Sequence, residues 1–215
     1  MGLSGVNQMV NYVLLLSESR HELNLLRKDL MIGVTSFYRS PEVFQVLEQE
    51  VIPELVKRCS PVVPLRVWVP ACASGEEAYS IAMSLIESCS STAMPPKIQV
   101  FATDTDEVSL ETARLGIYPE SISRDMTPQR LKRFFIRINE DQYQVTKQLR
   151  ETIVFAGQNL ITDAPFSKLD LVSCRNLLIY INPDTQRKII EMFHFVLNEN
   201  GFLILGPSET VGSAI

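Results

Sequence analysis

LRVWVPACASGEEAYSIAMS (65–84) decides the fold. Leu65, Val67 and Val69 alternate through a β-branched and aromatic run that stops at Pro70. Ala71, Cys72, Ala73, Ser74 and Gly75 follow, all small. Glu76 and Glu77 then open an amphipathic helix carrying Tyr79, Ala82, Met83 and Ile86. The stretch reads as strand, turn, helix. Small residues at the carboxyl end of a first strand let a ligand approach the backbone, where open α/β sheets bind ligands. The turn is neither G-x-G-x-x-G nor a P-loop, because no Gly-Lys-Ser/Thr follows. Two carboxylates stand where a phosphate would want to sit.

Outward from this stretch, strands and helices alternate. Lys97–Thr103 is a second strand ending at Asp104, and Glu107–Leu115 is a helix stopped by Gly116. Pro128–Phe135 is a short helix. Tyr143–Lys147 and Thr152–Ala156 are β-rich and flank a short polar stretch, so a small antiparallel hairpin is expected. Leu169–Cys174 is a strand, Asp184–Asn198 a helix begun by Pro183, and Gly201–Gly206 a final buried-type strand. The alternation predicts a parallel sheet wrapped on both faces.

Before the first strand the pattern is helical. Val10, Val13, Leu14 and Leu16, then Leu23, Leu25, Leu26 and Leu30, recur at helical spacing, with Ser17 or Ser19 and Glu22 placed as a capping box. Residues 33–40 break the pattern, and Ser40-Pro41 starts a helix to about Cys59 that Pro53 would kink. Residues 1–60 therefore form a helical N-terminal part and linker helix, and 61–215 an α/β body with a small β-subdomain at about 134–156.

The 215 residues, 46% hydrophobic and 21% charged, suit one globular domain with a proper core. A net charge of −5 argues against a generic nucleic-acid binder. Cys59, Cys72, Cys89 and Cys174 form no C-x-x-C pair, and His21 and His194 are the only histidines, so no metal site is expected. Buried thiols in a reducing compartment fit better. With no membrane-length apolar run and no signal peptide, the expectation is a cytoplasmic protein, or the cytoplasmic portion of a larger one, with no membrane insertion.

The chemistry-bearing candidates cluster after the strands. Asp104 stands where doubly wound folds place an acid on ribose hydroxyls; a helix N-cap is an equally good reading of position alone. Glu76 is placed to meet a ligand amine or sulfonium, although a first-turn carboxylate facing the helix dipole is the plainer reading. Arg175 and Asn176 bring donors after Ser173-Cys174, and Tyr180 and Asn182 follow at the same rim; Arg39 is a third candidate. For either arginine a surface position is the default. A ligand with hydroxyls and an amine suits this set better than a polyphosphate, a first pointer to S-adenosylmethionine.

Six blocks now carry a resemblance. VTSFYRSPEVF (34–44), RVWVPACASGEEAYSIAM (66–83), FATDTDEVSLETARLGIYP (101–119), VFAGQNL (154–160), FSKLDLVSCRNLLIYINPDTQ (166–186) and GFLILGPSET (201–210) resemble, in order, the CheR chemotaxis receptor methyltransferases. They look closest to CheR domains fused to CheB methylesterase and sensory modules. The resemblance implies a class I S-adenosylmethionine-dependent methyltransferase, a Rossmann-like doubly wound α/β sheet. It implies transfer of methyl from S-adenosylmethionine to glutamate side chains of chemoreceptors, leaving S-adenosylhomocysteine. It implies cofactor contacts at Thr35, Arg39, Glu76, Asp104, Asn159, Leu160, Arg175 and Asn176. The acceptor-orienting residue is open among Arg39, Arg175 and Tyr180.

Departures from the family pattern shape the expectations. Gly33 replaces an Asn common two residues before the Thr, which bears on one ligand contact. The loop IRINEDQYQVT (136–146) is short and lacks Gly, so docking independent of a receptor C-terminal pentapeptide is expected. The helical N-terminus looks shortened. The hairpin that usually follows the fifth strand is expected to be missing, leaving FLILG as a sheet edge, as in an excised domain. The rival reading is a module that binds S-adenosylmethionine in a sensory or scaffold role without methylating a receptor.

Overall fold

The computed structural model describes residues 35–90, 92 and 94–211, together with 12, 13, 15, 17 and 19. The helices read over 1–32, their capping box at Glu22, and Gly33 lie outside the described residues, apart from residues 12, 13, 15 and 17, which are helical, and residue 19. Chain contacts divide the protein into two units, Met1–Val34 and Thr35–Ile215. In the first unit, the Ser19 N–H donates to the Leu15 carbonyl at 2.9 Å.

The second unit is built on β1 (Leu65–Pro70). Side chains alternate across a strand, and here both faces are covered. Val67 and Val69 join a cluster with Tyr79, Ile81, Met83 and Leu110. Trp68 joins the opposite cluster with Val172, Ile189 and Phe193. Burial on both faces explains why β1 reads as a near-continuous apolar run.

Helix α1 (Pro41–Val46), a π-helical turn (Leu47–Val51) and α2 (Ile52–Arg58) precede β1. The kink expected at Pro53 takes the form of that π turn. Proline has no N–H to give Gln49 and its ring would strike that carbonyl. The register lengthens ahead of it, and the Ile52 N–H bonds the Leu47 carbonyl.

After β1 come α3 (Glu76–Cys89), β2 (Ile98–Asp104) and α4 (Glu107–Leu115), which stops on Gly116 in the left-handed region. Next are β3 (Ile117–Pro119), a 3-10 turn (Glu120–Arg124), α5 (Pro128–Phe134), β4 (Phe135–Arg137), β5 (Gln142–Val145), α6 (Lys147–Arg150) and β6 (Ile153–Gly157). The chain closes with β7 (Leu169–Cys174), a 3-10 turn (Leu178–Tyr180), α7 (Pro183–Val196) and β8 (Leu197–Leu205).

The main sheet has the order β6-β2-β1-β7-β8, and every neighbouring pair is parallel. The order runs one way from β1 through β2 to β6 and the other way through β7 to β8. The switch point therefore lies between β1 and β7, with the crevice at the carboxyl ends. This is the doubly wound α/β architecture that the resemblance implies.

The expected 143–147/152–156 hairpin does not form. Residues 142–145 instead pair with both Ile117–Pro119 and Phe135–Arg137 in a separate antiparallel sheet of order β3-β5-β4. Ile153–Gly157 leaves that sheet and pairs parallel with β2. The cause is α6, where the sequence suggested only a turn. Its Leu149 is buried and Ile153 joins the main core, drawing the chain back to the large sheet. The last helix ends at Val196, earlier than Asn198, and β8 begins at once with Leu197.

Gly75 fixes the entry to α3. Its φ is +93°, and an added Cβ would stand 2.9 Å from Ala113 Cβ and 3.1 Å from the Phe155 ring. Gly75→Ala combines backbone strain with overpacking and is expected to cost about 2–4 kcal/mol. Urea denaturation of wild type and variant measures it.

Candidate functional site

The loop after β1 is strained. Ala71 (φ 53°) and Ala73 (φ 47°) adopt left-handed backbone, each against a penalty of roughly 1–2 kcal/mol for a non-glycine residue. Four contacts over-determine it. The Cys72 N–H donates to the Thr103 carbonyl (3.0 Å), Ala73 N–H to Asp104 Oδ2 (2.8 Å), Gly75 N–H to the Cys72 carbonyl (2.9 Å), and the Tyr118 hydroxyl to the Ser74 carbonyl (2.6 Å). The small antiparallel sheet thus holds the turn through Tyr118, and β2 holds it through Asp104.

Asp104 is not the N-cap of α4. That role falls to Asp106, which accepts from the Val108 N–H at 3.2 Å and the Ser109 hydroxyl at 2.6 Å. Asp104 Oδ1 accepts from the Asp106 N–H at 2.9 Å. Its two oxygens therefore fix two successive loops while keeping lone pairs for a further donor.

Glu76 is 9% exposed. It accepts from the Ser74 hydroxyl at 2.8–2.9 Å, and burial pushes its carboxyl above the ordinary range. Among the described residues no Lys or Arg pairs with it. A buried carboxylate short of a counter-charge favours a ligand cation.

Glu77, which the sequence reading left aside, is central. Its carboxylate accepts from the Ser173 hydroxyl (2.7 Å) and from Arg175 Nη1 (3.2 Å). Arg175 Nη2 donates to the Arg39 carbonyl at 2.8 Å, and the guanidinium lies 5.7 Å from the Phe44 ring centroid. The Arg175 side chain is 1% exposed. Burial raises Glu77, and Arg175 is the largest influence lowering it again. Arg175 is thus a strut joining α3, the end of β7 and loop 35–40, not a surface arginine. The available signal was the Glu-Glu pair: one residue beyond Glu76, the next side chain points about 100° further round the helix.

The other candidates scatter around this frame. Asn159 and Leu160 follow β6, whose loop is tied to β2 by the Gln158 N–H on the Asp104 carbonyl at 2.9 Å. Asn159 is exposed and its Oδ1 accepts from the Ile161 N–H at 3.0 Å, while Leu160 packs against the Trp68 cluster. Asn176 has left-handed φ of 59°. Thr35 and Arg39 are half-buried in the loop ahead of α1, and the Tyr38 N–H of that loop donates to Ser80 Oγ at 3.0 Å. Tyr180 is 75% exposed and stands apart from the strut. Asn182 is no rim ligand; it caps α7 by accepting from the Thr185 N–H at 3.0 Å. Cys174 is buried, and burial pushes its thiol up, so it is packing and not a nucleophile. A cavity of about 360 Å³, lined by Tyr38, Phe44, Glu48, Asp125 and Arg130 among others, flanks loop 35–40 and not the strand ends.

The family description "CheR methyltransferase, SAM binding domain" matches residues 33–214. The chain belongs to the CheR methyltransferase family. Over 97% of its length it is 31% identical to the chemotaxis protein methyltransferase of Borreliella burgdorferi, covering 76% of that protein. It is 32% identical to chemotaxis protein methyltransferase 1 of Pseudomonas aeruginosa, over 99% of this chain and 79% of the relative. Identity is 40% to an uncharacterized 104.1 kDa protein of Rhodobacter capsulatus, of which this chain spans 22%. It is a methyltransferase domain that uses S-adenosylmethionine, and the acceptor-rich strand ends fit that cofactor. The carboxylates of Asp104 and Glu76 both stand at those strand ends.

Arg175→Ala leaves Glu77 buried without its partner and is expected to cost roughly 3–5 kcal/mol. Glu77→Gln combined with Arg175→Ala should cost clearly less than the sum of the two single changes. Chemical denaturation of the four proteins in the double-mutant cycle reads the coupling.

Proposed function

We propose that this CheR domain transfers a methyl group from S-adenosylmethionine to glutamate side chains on the cytoplasmic helices of chemoreceptors, forming methyl esters. The carboxylate-rich crevice at the ends of β1 and β2 carries the reading, since it matches a cationic, hydroxyl-bearing cofactor. The chemotaxis relatives named above support the acceptor class.

When bound, the cofactor supplies an electrophilic methyl group on a sulfonium. The chain's own residues bind and orient. Asp104 holds the ribose hydroxyls, Glu76 neutralises the ammonium, and Asn159 and Leu160 flank the adenine. Thr35 and Arg39 close the crevice from the loop ahead of α1. Arg175 and Asn176 act through the turn they form, because the Arg175 guanidinium is committed to Glu77 and to Arg39. An acceptor carboxylate is already ionised at neutral pH, so no general base is required. Rate enhancement comes from alignment, which can contribute up to roughly 7–11 kcal/mol. Arg39 and Tyr180 remain the acceptor-orienting candidates.

Docking independent of a receptor pentapeptide is part of the proposal. The β4–β5 connection is tight and self-bonded: the Ile138 N–H donates to the Gln142 carbonyl (3.0 Å), and Arg137 donates to the carbonyls of Asn139 (3.1 Å) and Glu140 (2.7 Å). Kinship with a segment of a 104.1 kDa protein supports work as one module among others. Among the described residues no helix is long and apolar enough to cross a membrane.

Incubation with methyl-labelled S-adenosylmethionine and a receptor signalling domain should place alkali-labile label on glutamates. Cofactor binding without label transfer would point to a binding module instead. Asp104→Ala should weaken S-adenosylhomocysteine at least about tenfold in calorimetry, having lost both a ligand acceptor and the Ala73 tie.

Affinity should also depend on pH. Burial raises Glu76, so falling pH neutralises it earlier than an ordinary carboxylate. Cation binding needs the ionised form. Affinity should therefore weaken as the pH falls, beginning at higher pH than an ordinary carboxylate would dictate, and Glu76→Gln should show weaker binding with a flatter profile.

A further inference from the structure

The turn after β7 is clamped between two charges of opposite sign. Arg175 anchors it to Glu77 and Arg39. From the other side comes Glu209, beyond the end of β8. Its Oε2 accepts from the N–H groups of Asn176 (2.9 Å) and Gly206 (2.6 Å), and its Oε1 from those of Leu177 (2.8 Å) and Leu178 (2.7 Å). The Glu209 N–H in turn donates to the Gly206 carbonyl at 3.0 Å.

Three successive N–H groups converge here because Asn176 takes left-handed backbone. Successive amides so arranged make an anion-binding concavity, and the chain fills it with its own carboxylate. Bonds from N–H to a carboxylate are the stronger class and fix direction as well as distance. Gly206 leaves the room: a Cβ there would stand 2.6 Å from Glu209 Oε2. One side chain thus sets the peptide planes of 176–178 and ties them to the edge strand.

We propose that Glu209 is a positioning residue for the cofactor site. It orients the Arg175–Asn176 turn by occupying the amide nest, without itself touching the cofactor. The inference rests on the reading above that this turn borders the bound cofactor. It also gives GPSET (206–210) a role the strand ends alone do not supply.

The test compares wild type, Glu209→Gln and Glu209→Ala by calorimetry with S-adenosylhomocysteine, each checked by thermal melting. Glutamine keeps the shape but turns an amide NH2 toward two of the four donors. Glu209→Gln should fold cooperatively and bind at least about tenfold more weakly, the equivalent of one lost charge-assisted hydrogen bond. Acetate should restore most of the affinity of Glu209→Ala by refilling the nest, whereas chloride at equal ionic strength should not. Glu209→Gln binding within about twofold of wild type, or acetate and chloride acting alike on Glu209→Ala, would overturn the proposal while leaving the cofactor reading intact. Wild type that binds no S-adenosylhomocysteine would instead overturn the cofactor reading, and this inference with it.

Discussion

A guanidinium cannot be deprotonated in a protein, so Arg175, with its side chain 1% exposed, must be paired where it stands. Glu77, the Arg39 carbonyl and the Phe44 ring supply that pairing, with Nε left without a partner. They come from α3, from the loop ahead of α1 and from α1 itself. A buried cation therefore ties the loop ahead of α1, and α1 itself, to the sheet, beside the Tyr38–Ser80 bond and the buried Phe37 and Phe44.

Backbone strain gathers at the same rim. Five of the seven described non-glycine residues with positive φ, Tyr38, Ser40, Ala71, Ala73 and Asn176, lie there; Lys168 and Asn200 lie elsewhere. Three of the five are held by bonds from a distant element: Ser80 for Tyr38, Asp104 for Ala73 and Glu209 for Asn176. Local rules broken at one end of a sheet, and supported from elsewhere, mark a functional edge. The carboxylates here do double duty. Asp104 shapes two loops and keeps lone pairs for a ligand, while Glu77 and Glu209 spend theirs on the protein.

What could be read from the sequence follows from how local each signal is. The β1 run, the small-residue turn and the α3 start sit within one short stretch, and Asp104 follows directly from where β2 ends. The resemblance across six blocks supplied the family and its site positions. The hairpin failed because α6 is four residues long and draws its stability from burying Leu149, not from propensity. Glu77 and Glu209 went unread because their partners lie 96–98 and 31–33 residues away along the chain. Pattern within a window cannot show which of two adjacent glutamates meets Arg175, nor that a carboxylate after the last strand will meet a turn formed much earlier.

The Tyr38 amide reports most directly on whether Arg175 holds the loop, since it donates to Ser80 Oγ inside the contact. Native-state hydrogen exchange of wild type and Arg175→Ala reads it without cofactor. The account predicts that exchange at residues 37–39 speeds markedly in the variant, while β1 and β2 amides keep their relative protection. Unchanged protection at Tyr38 would contradict it, and would mean that Phe37 and Tyr38 packing holds the loop alone.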